Sequence, residues 1–180
     1  MAQKFSVLAL VAAFAVIFVN AGPRFENEYE ETFSFECPQD EVINAVYSVH
    51  NNKHDDRRYQ FDCRQAPSGA TPGRCKWSDD YVNKWDEDIM YMCPPNMALA
   101  GVRSEFRKKS EDRRMRFKCC KDSNLLTVSC DLTTYRNDFD EELGYKVTNG
   151  RIIAGWFSVY SSKKSDRRHK FLECRYRNFD

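Results

Sequence analysis

The chain has 180 residues, enough for one domain with its own core, and 31% of them are charged. Lys and Arg number 28 against 27 Asp and Glu, so no net field draws it to nucleic acid. Seven glycines, six prolines and 14% aromatic residues exclude collagen-like, low-complexity and disordered chains.

At the N-terminus, Lys4 precedes an apolar run from Phe5 to Val19, and Val19-Asn20-Ala21 offers small residues at cleavage spacing. This order predicts a secretory signal peptide over 1–21, too short for a membrane span. No second apolar run follows, so no membrane span is expected. Cleavage removes Lys4 and no acid, leaving 27 residues of each charge sign. Residues 22–31 then read as an acidic tail, with Glu26, Glu28, Glu30 and Glu31 around Tyr29. That frame suits sulfation of Tyr29 in the secretory pathway. No Asn-x-Ser/Thr acceptor for N-linked glycans occurs.

The body of the chain, 32–180, carries an internal repeat near 37–63, 93–120 and 149–174. Asp-Arg-Arg triplets start at Asp56, Asp112 and Asp166, and Cys37 to Cys63 and Cys93 to Cys119 are both intervals of 26. In the third copy Val147 stands where an opening cysteine is expected, and one extra residue separates Phe171 from Cys174. Each copy predicts a β-hairpin. Val42, Ile43, Val46 and Val49 form a β-branched run, and the returning arm alternates Tyr59/Phe61/Cys63 with Arg58/Gln60/Asp62. The arm Met115/Phe117/Cys119 repeats this against Arg114/Arg116/Lys118. Polar tips, such as 51–55, 108–111 and 163–165, suit turns.

Between the copies, Ile89–Met92 and Leu126–Leu132 predict further strands, and Thr32–Phe35 is expected to close the sheet against the third copy. Ser78–Asp88 is the best helical candidate, short and acidic. The fold class is therefore all-β: a single disulfide-rich domain of three hairpin-containing repeats. A pseudo-threefold closed barrel is the expected architecture, with linear stacking as the alternative.

Eight cysteines, Cys37, Cys63, Cys75, Cys93, Cys119, Cys120, Cys130 and Cys174, follow the signal peptide, and in an oxidising compartment they predict four disulfides. No Cys-x-x-Cys occurs, so no metal is expected. If Cys119-Cys120 lies in a strand, the two side chains point to opposite faces and need different partners.

The run from Cys37 to Ser48, Cys-Pro-x-x-x-x-Ile-x-Ala-Val-x-Ser, followed by an Asp-Arg-x-x-x-Phe-x-Cys arm, resembles the dermatopontin family. Cys75-Lys76-Trp77, Trp85, Phe117-Lys118-Cys119-Cys120 and Ser129 to Thr134 extend the likeness over about residues 33–176. The chain departs from the family at the Trp favoured two residues after the first Arg, where Tyr59, Met115 and His169 stand. The resemblance implies the pairing Cys37–Cys63, Cys75–Cys119, Cys93–Cys120 and Cys130–Cys174, and sulfated tyrosines. It also implies an extracellular matrix protein, or a hemagglutinin, cell-aggregation factor or cytotoxin. His50 to Arg57 looks more like the invertebrate aggregation factors than the vertebrate matrix form.

The residues point away from catalysis. The cysteines are expected to be oxidised, and His50, His54 and His169 fall at or near hairpin tips, where a solvated role is expected. The acidic runs at 86–88 and 138–142 lack calcium-loop spacing, and no phosphate loop or cofactor motif is present. Cations, by contrast, cluster. Arg58, Lys108, Lys109, Arg114, Arg116, Lys163, Lys164, Arg168 and Lys170 are the polyanion-binding candidates. The Asp and first Arg of each triplet (Asp56/Arg57, Asp112/Arg113, Asp166/Arg167) read instead as a structural ion pair repeated with the fold. The expected partners are proteoglycans or sulfated glycans, collagen or other matrix proteins, and cell-surface carbohydrate, without nucleic acid; self-association stays open.

Overall fold

The β-branched runs and alternating arms of the three copies become three long antiparallel hairpins. A computed structural model describes residues 24–67, 70–122 and 125–178; the expected signal peptide lies outside them. The hairpins are β2 (Glu41–Asn51) with β3 (Asp56–Gln65), β6 (Met97–Arg107) with β7 (Asp112–Asp122), and β10 (Arg151–Ser161) with β11 (Asp166–Asn178). Between them run β1 (Phe33–Glu36), β4 (Ala70–Trp77), β5 (Ile89–Met92), β8 (Leu125–Leu132) and β9 (Leu143–Lys146). The described residues contain no helix. Ser78–Asp88, the helical candidate, is a loop, because Asn83 at its centre is committed to the backbone of β7.

The strands form three separate sheets, ordered β3-β2-β9, β1-β6-β7-β4 and β5-β10-β11-β8, not one continuously hydrogen-bonded barrel. Each short strand pairs with the hairpin of the following copy, the last returning to the first: β1 with β6, β5 with β10, β9 with β2. The expectation that residues 32–35 close against the third copy is thus corrected, since β1 adds to the second. A bulge at the same place in each hairpin fixes this docking. Ala100, Ala154 and Asn44 are the extra residues, and their carbonyls accept from Cys37 N, Cys93 N and Val147 N at 2.9, 2.8 and 2.9 Å. Beside the second and third bulges a glycine is required. A Cβ on Gly101 or Gly155 would stand 2.9 Å from the Phe35 carbonyl or 2.7 Å from that of Tyr91.

All three sheets bury their inner faces in one core. Tyr59/Met115/His169, Phe61/Phe117/Phe171 and Val46/Val102/Trp156 occupy equivalent places in it. His169, expected at a solvated tip, is fully buried, because the residue that follows each triplet points inward, as Tyr59 and Met115 do. Trp156 Nε1 donates to its Nδ1 at 3.0 Å, and burial and the nearby Arg57 and Arg167 hold its pKa well below the usual histidine value.

The disulfides correct two of the implied pairs. They are Cys37–Cys63, Cys75–Cys120, Cys93–Cys119 and Cys130–Cys174. Cys75 lies directly across from Cys120 in the β4–β7 register, with Cα atoms 4.0 Å apart. Cys119 points the other way, into the core, and takes Cys93 as Cys63 takes Cys37. In the third copy Glu173, not an inserted residue, fills the Cys63/Cys119 place. Its carboxylate accepts from Tyr145 Oη at 2.8 Å and Thr148 N at 3.2 Å, spanning toward Val147 where the first two copies have a cystine.

Candidate functional site

The three triplets meet at one end of the core. Each first Arg forms a bidentate pair with the Asp of a different copy. Arg57 reaches Asp166 (2.5 and 2.8 Å), Arg113 reaches Asp56 (2.6 and 2.7 Å), and Arg167 reaches Asp112 (2.7 Å twice). The expected ion pair is therefore real but lies between copies, and the three pairs close into a ring. These side chains are 1–4% exposed. The spare carboxylate capacity accepts from Glu30 N, Asp86 N and Asp140 N, and the spare guanidinium hydrogens go to the carbonyls of Glu141, Glu31 and Glu87. Buried charges paired in this way hold an architecture; Arg167 Nη1, which lacks a partner, is itself buried.

Those backbone partners belong to a loop the sequence reading missed. Residues 24–31, expected as a tail, are docked. Asn27 donates to the Arg57 carbonyl and accepts from Tyr59 N, both at 3.0 Å, as Asn83 does with Arg113 and Met115 and Asn137 with Arg167 and His169. The signal was present: Asn27, Asn83 and Asn137 are spaced like the triplets, each followed by an aromatic residue two positions on.

Those aromatics receive the second Arg of each triplet. Arg58 lies over Phe25 (4.2 Å) and Tyr29 (4.9 Å), Arg114 over Tyr81 (4.3 Å) and Trp85 (4.6 Å), and Arg168 over Tyr135 (4.2 Å) and Phe139 (4.8 Å). Tyr29 stacks on His54 as well, which leaves it half-buried. Arg107 extends the second stack over Trp85, and Lys170 the third over Tyr135. Arg58, Arg114 and Arg168 also reach Glu28, Glu105 and Asp138. Arg116 donates to the Ser78 carbonyl at 2.7 Å.

The tips converge around the ring. Asp55, Glu111 and Ser165 share with it a cavity of about 20 Å³, and Ser165 Oγ donates to Glu111 Oε2 at 2.6 Å. Lys108 is paired with Glu30 at 3.0 Å and Lys164 with Asp140 at 2.5 Å. The ammonium groups of Lys109 and Lys163 enter no ion pair or hydrogen bond among the described residues, and both lysines are exposed. Lys53, which the sequence reading passed over, is exposed at the same tip position, and its ammonium is equally unpaired. The structure thus separates the nine candidate cations: two stand free, three lie in aromatic stacks, and the rest are bonded or lie over a ring.

His50 has a side chain only 1% exposed, with Nδ1 3.7 Å from Asp140 and Nε2 3.9 Å from Asp166. It is the second histidine found buried rather than solvated. Asp166 is already held by Arg57, which sets a positive charge beside the position a cation would take.

The Dermatopontin family model matches residues 27–178. The hemagglutinin/amebocyte aggregation factor of Limulus polyphemus is 34% identical over 84% of this chain and 87% of its own. Millepora cytotoxin-1 of Millepora dichotoma is 31% identical over 82% of this chain and 65% of its own. The dermatopontin of Biomphalaria glabrata is 32% identical over 81% and 95%. No solved structure matches. The repeated triplets, the cystines and the family match agree, and the chain belongs to the dermatopontin family.

Proposed function

We propose that this is a secreted, non-enzymatic matrix or cell-adhesion protein that binds polyanionic glycan chains at the end where its three hairpin tips meet. The observation that carries this reading is the lysine at one position of every tip. Lys53, Lys109 and Lys163 are exposed and unpaired, and each stands two residues before a tip residue (Asp55, Glu111 or Ser165) that lines the cavity. Lys108 and Lys164, whose partners Glu30 and Asp140 are half-buried, add charge that a stronger anion can recruit. A sulfated chain offers several anions in series, so three hairpins can each engage one. Arg58, Arg114, Arg116, Arg168 and Lys170 lie on the flanks, where they serve a longer glycan at the cost of their present contacts.

Secretion is supported by the four disulfides, which belong to an oxidising compartment, and by the signal-peptide pattern over 1–21. The ring of three inter-copy ion pairs supports a pseudo-threefold arrangement of the units within 32–180. Sulfation of Tyr29 fits its acidic frame. Proteoglycans are the partners favoured here, with collagen and other matrix proteins in the same class. The names of the Limulus and Millepora relatives support a second reading, a multivalent hemagglutinin, aggregation factor or cytotoxin. Red-cell agglutination separates the two. Agglutination blocked by neutral sugars but not by heparin favours the second; retention on heparin without agglutination favours the first.

A further inference from the structure

Two of the three sheets have four strands and one has three. Beyond β7 lies β4, and beyond β11 lies β8, but among the described residues the first sheet ends at β3. The register shows what is missing. Lys118 faces Gly101 on one side and Trp77 on the other, and Leu172 faces Gly155 and Leu132. Asp62, their counterpart, faces Ala45 and has no strand partner on its far side among the described residues.

The occupied sheets also show what the added strand does. Trp77 lies across Lys118, its Cη2 3.2 Å from where a Cβ of Gly101 would stand, with Arg103 over the indole at 4.2 Å. In the first sheet the same space is an open groove of about 250 Å³ over Ala45 and Asp62, bounded by Tyr47, Gln60, Gly144 and Lys146.

We infer that the β3 edge is a docking site for an extended segment of another polypeptide, which adds antiparallel to β3 and lays one large apolar side chain in this groove. Direction and anchor follow from β4 and β8, which run antiparallel to their neighbours and place Trp77 or Leu132 opposite the residue equivalent to Asp62. The dock is non-covalent. Arg64 stands where Cys120 and Cys174 hold β4 and β8 by disulfides. This chain has one segment of its own at the right distance. Stepping back the 56 residues that separate Asn83 from Asn27 carries Ala70–Trp77 onto residues 14–21. Those residues are the end of the expected signal peptide, which cleavage after Ala21 removes, so the occupant is another polypeptide. A second copy fits less well, because antiparallel β3–β3 pairing centred on Cys63 sets Arg64, not an apolar side chain, against Asp62.

The test titrates protein secreted by expressing cells, its N-terminus read by mass spectrometry, into a fluorescent eight-residue peptide of the β8 sequence with Ser in place of Cys130. Saturable binding is expected from protein that begins at Gly22. Ala45→Trp, which fills the groove from within, should weaken it at least about tenfold, the order set by one buried large apolar side chain. Heparin retention and thermal melting should be unchanged, so failure here is distinct from failure of the glycan reading. Serine at the peptide's last leucine should have the same effect as Ala45→Trp. No binding by protein starting at Gly22, or equal binding by the Ala45→Trp variant, overturns the inference. So does secreted protein that retains residues 14–21, or a dimer in sedimentation that Ala45→Trp abolishes.

Discussion

Replacing Arg113 by Ala removes the guanidinium that gives Asp56 two hydrogen bonds, at 2.6 and 2.7 Å, the Glu31 carbonyl a third, at 3.0 Å, and approaches Ser104 Oγ at 3.4 Å. Asp56 keeps only Glu30 N, at 2.7 Å, while its side chain stays 2% exposed. A buried carboxylate stripped of its partner costs about 3–5 kcal/mol. At about 2–4 °C per kcal/mol for a chain of this size, the melting temperature should fall by about 6–20 °C. Joining Asp56→Asn to Arg113→Met removes both charges, and this pair should recover more than half of the loss, because no unpaired charge remains. Calorimetry of the two variants beside wild type is the assay. A loss below about 1 kcal/mol for Arg113→Ala would refute the ring as a structural element, since that is the range of an exposed pair.

His169 makes the fold acid-sensitive. Its folded pKa lies below the unfolded value near 6.5, so its stabilising contribution is complete above that pH and is lost as the pH falls, by up to about 1.4 kcal/mol per unit. His169→Met should flatten the decline of stability just below about pH 6.5; an unchanged slope assigns the decline to other groups. The cystine pairing is read by serine variants: Cys75→Ser with Cys120→Ser should leave no free thiol, whereas Cys75→Ser with Cys119→Ser should leave two. Reactive thiols in the first variant contradict the pairing. Arg114→Ala, which removes two ring contacts and the pair with Glu105, should cost about 1–2 kcal/mol and red-shift Trp85 fluorescence, measured by denaturant titration.

The hairpins were legible because their period-two alternation is written by side chains that either enter one core or do not. Tyr59/Phe61 and Met115/Phe117 left no other face to bury. The intermediate strands β5 and β8 were visible for the same reason. Partner choice between copies was not, because nothing local in Thr32–Phe35 distinguishes β6 from β10 as a neighbour. The second Arg of each triplet looked free because its aromatic partners lie about 30 residues away in sequence, at Phe25, Tyr81 and Tyr135. The two exchanged cystines were within reach. The 26-residue interval shared by Cys37–Cys63 and Cys93–Cys119 marked equivalent bonds, and Cys120 then fell to Cys75. Lys53 was missed because one lysine in a tip rich in Asn and Asp signals little until the tips are superposed. His50 and His169 lie close to the tips in sequence, but strand direction turns both inward.

The claim that the hairpin-tip end binds polyanions rests on Lys53, Lys109 and Lys163, and elution from a heparin column tests it most directly. Reversing all three to Glu should move elution to clearly lower salt with melting unchanged, because exposed charges contribute only about 0–1 kcal/mol to stability. Reversing Lys76, Lys146 and Arg175, exposed cations in strand segments away from the tips, changes net charge equally and should move elution far less. Equal shifts from the two sets, or wild-type elution of the tip variant, would contradict the account.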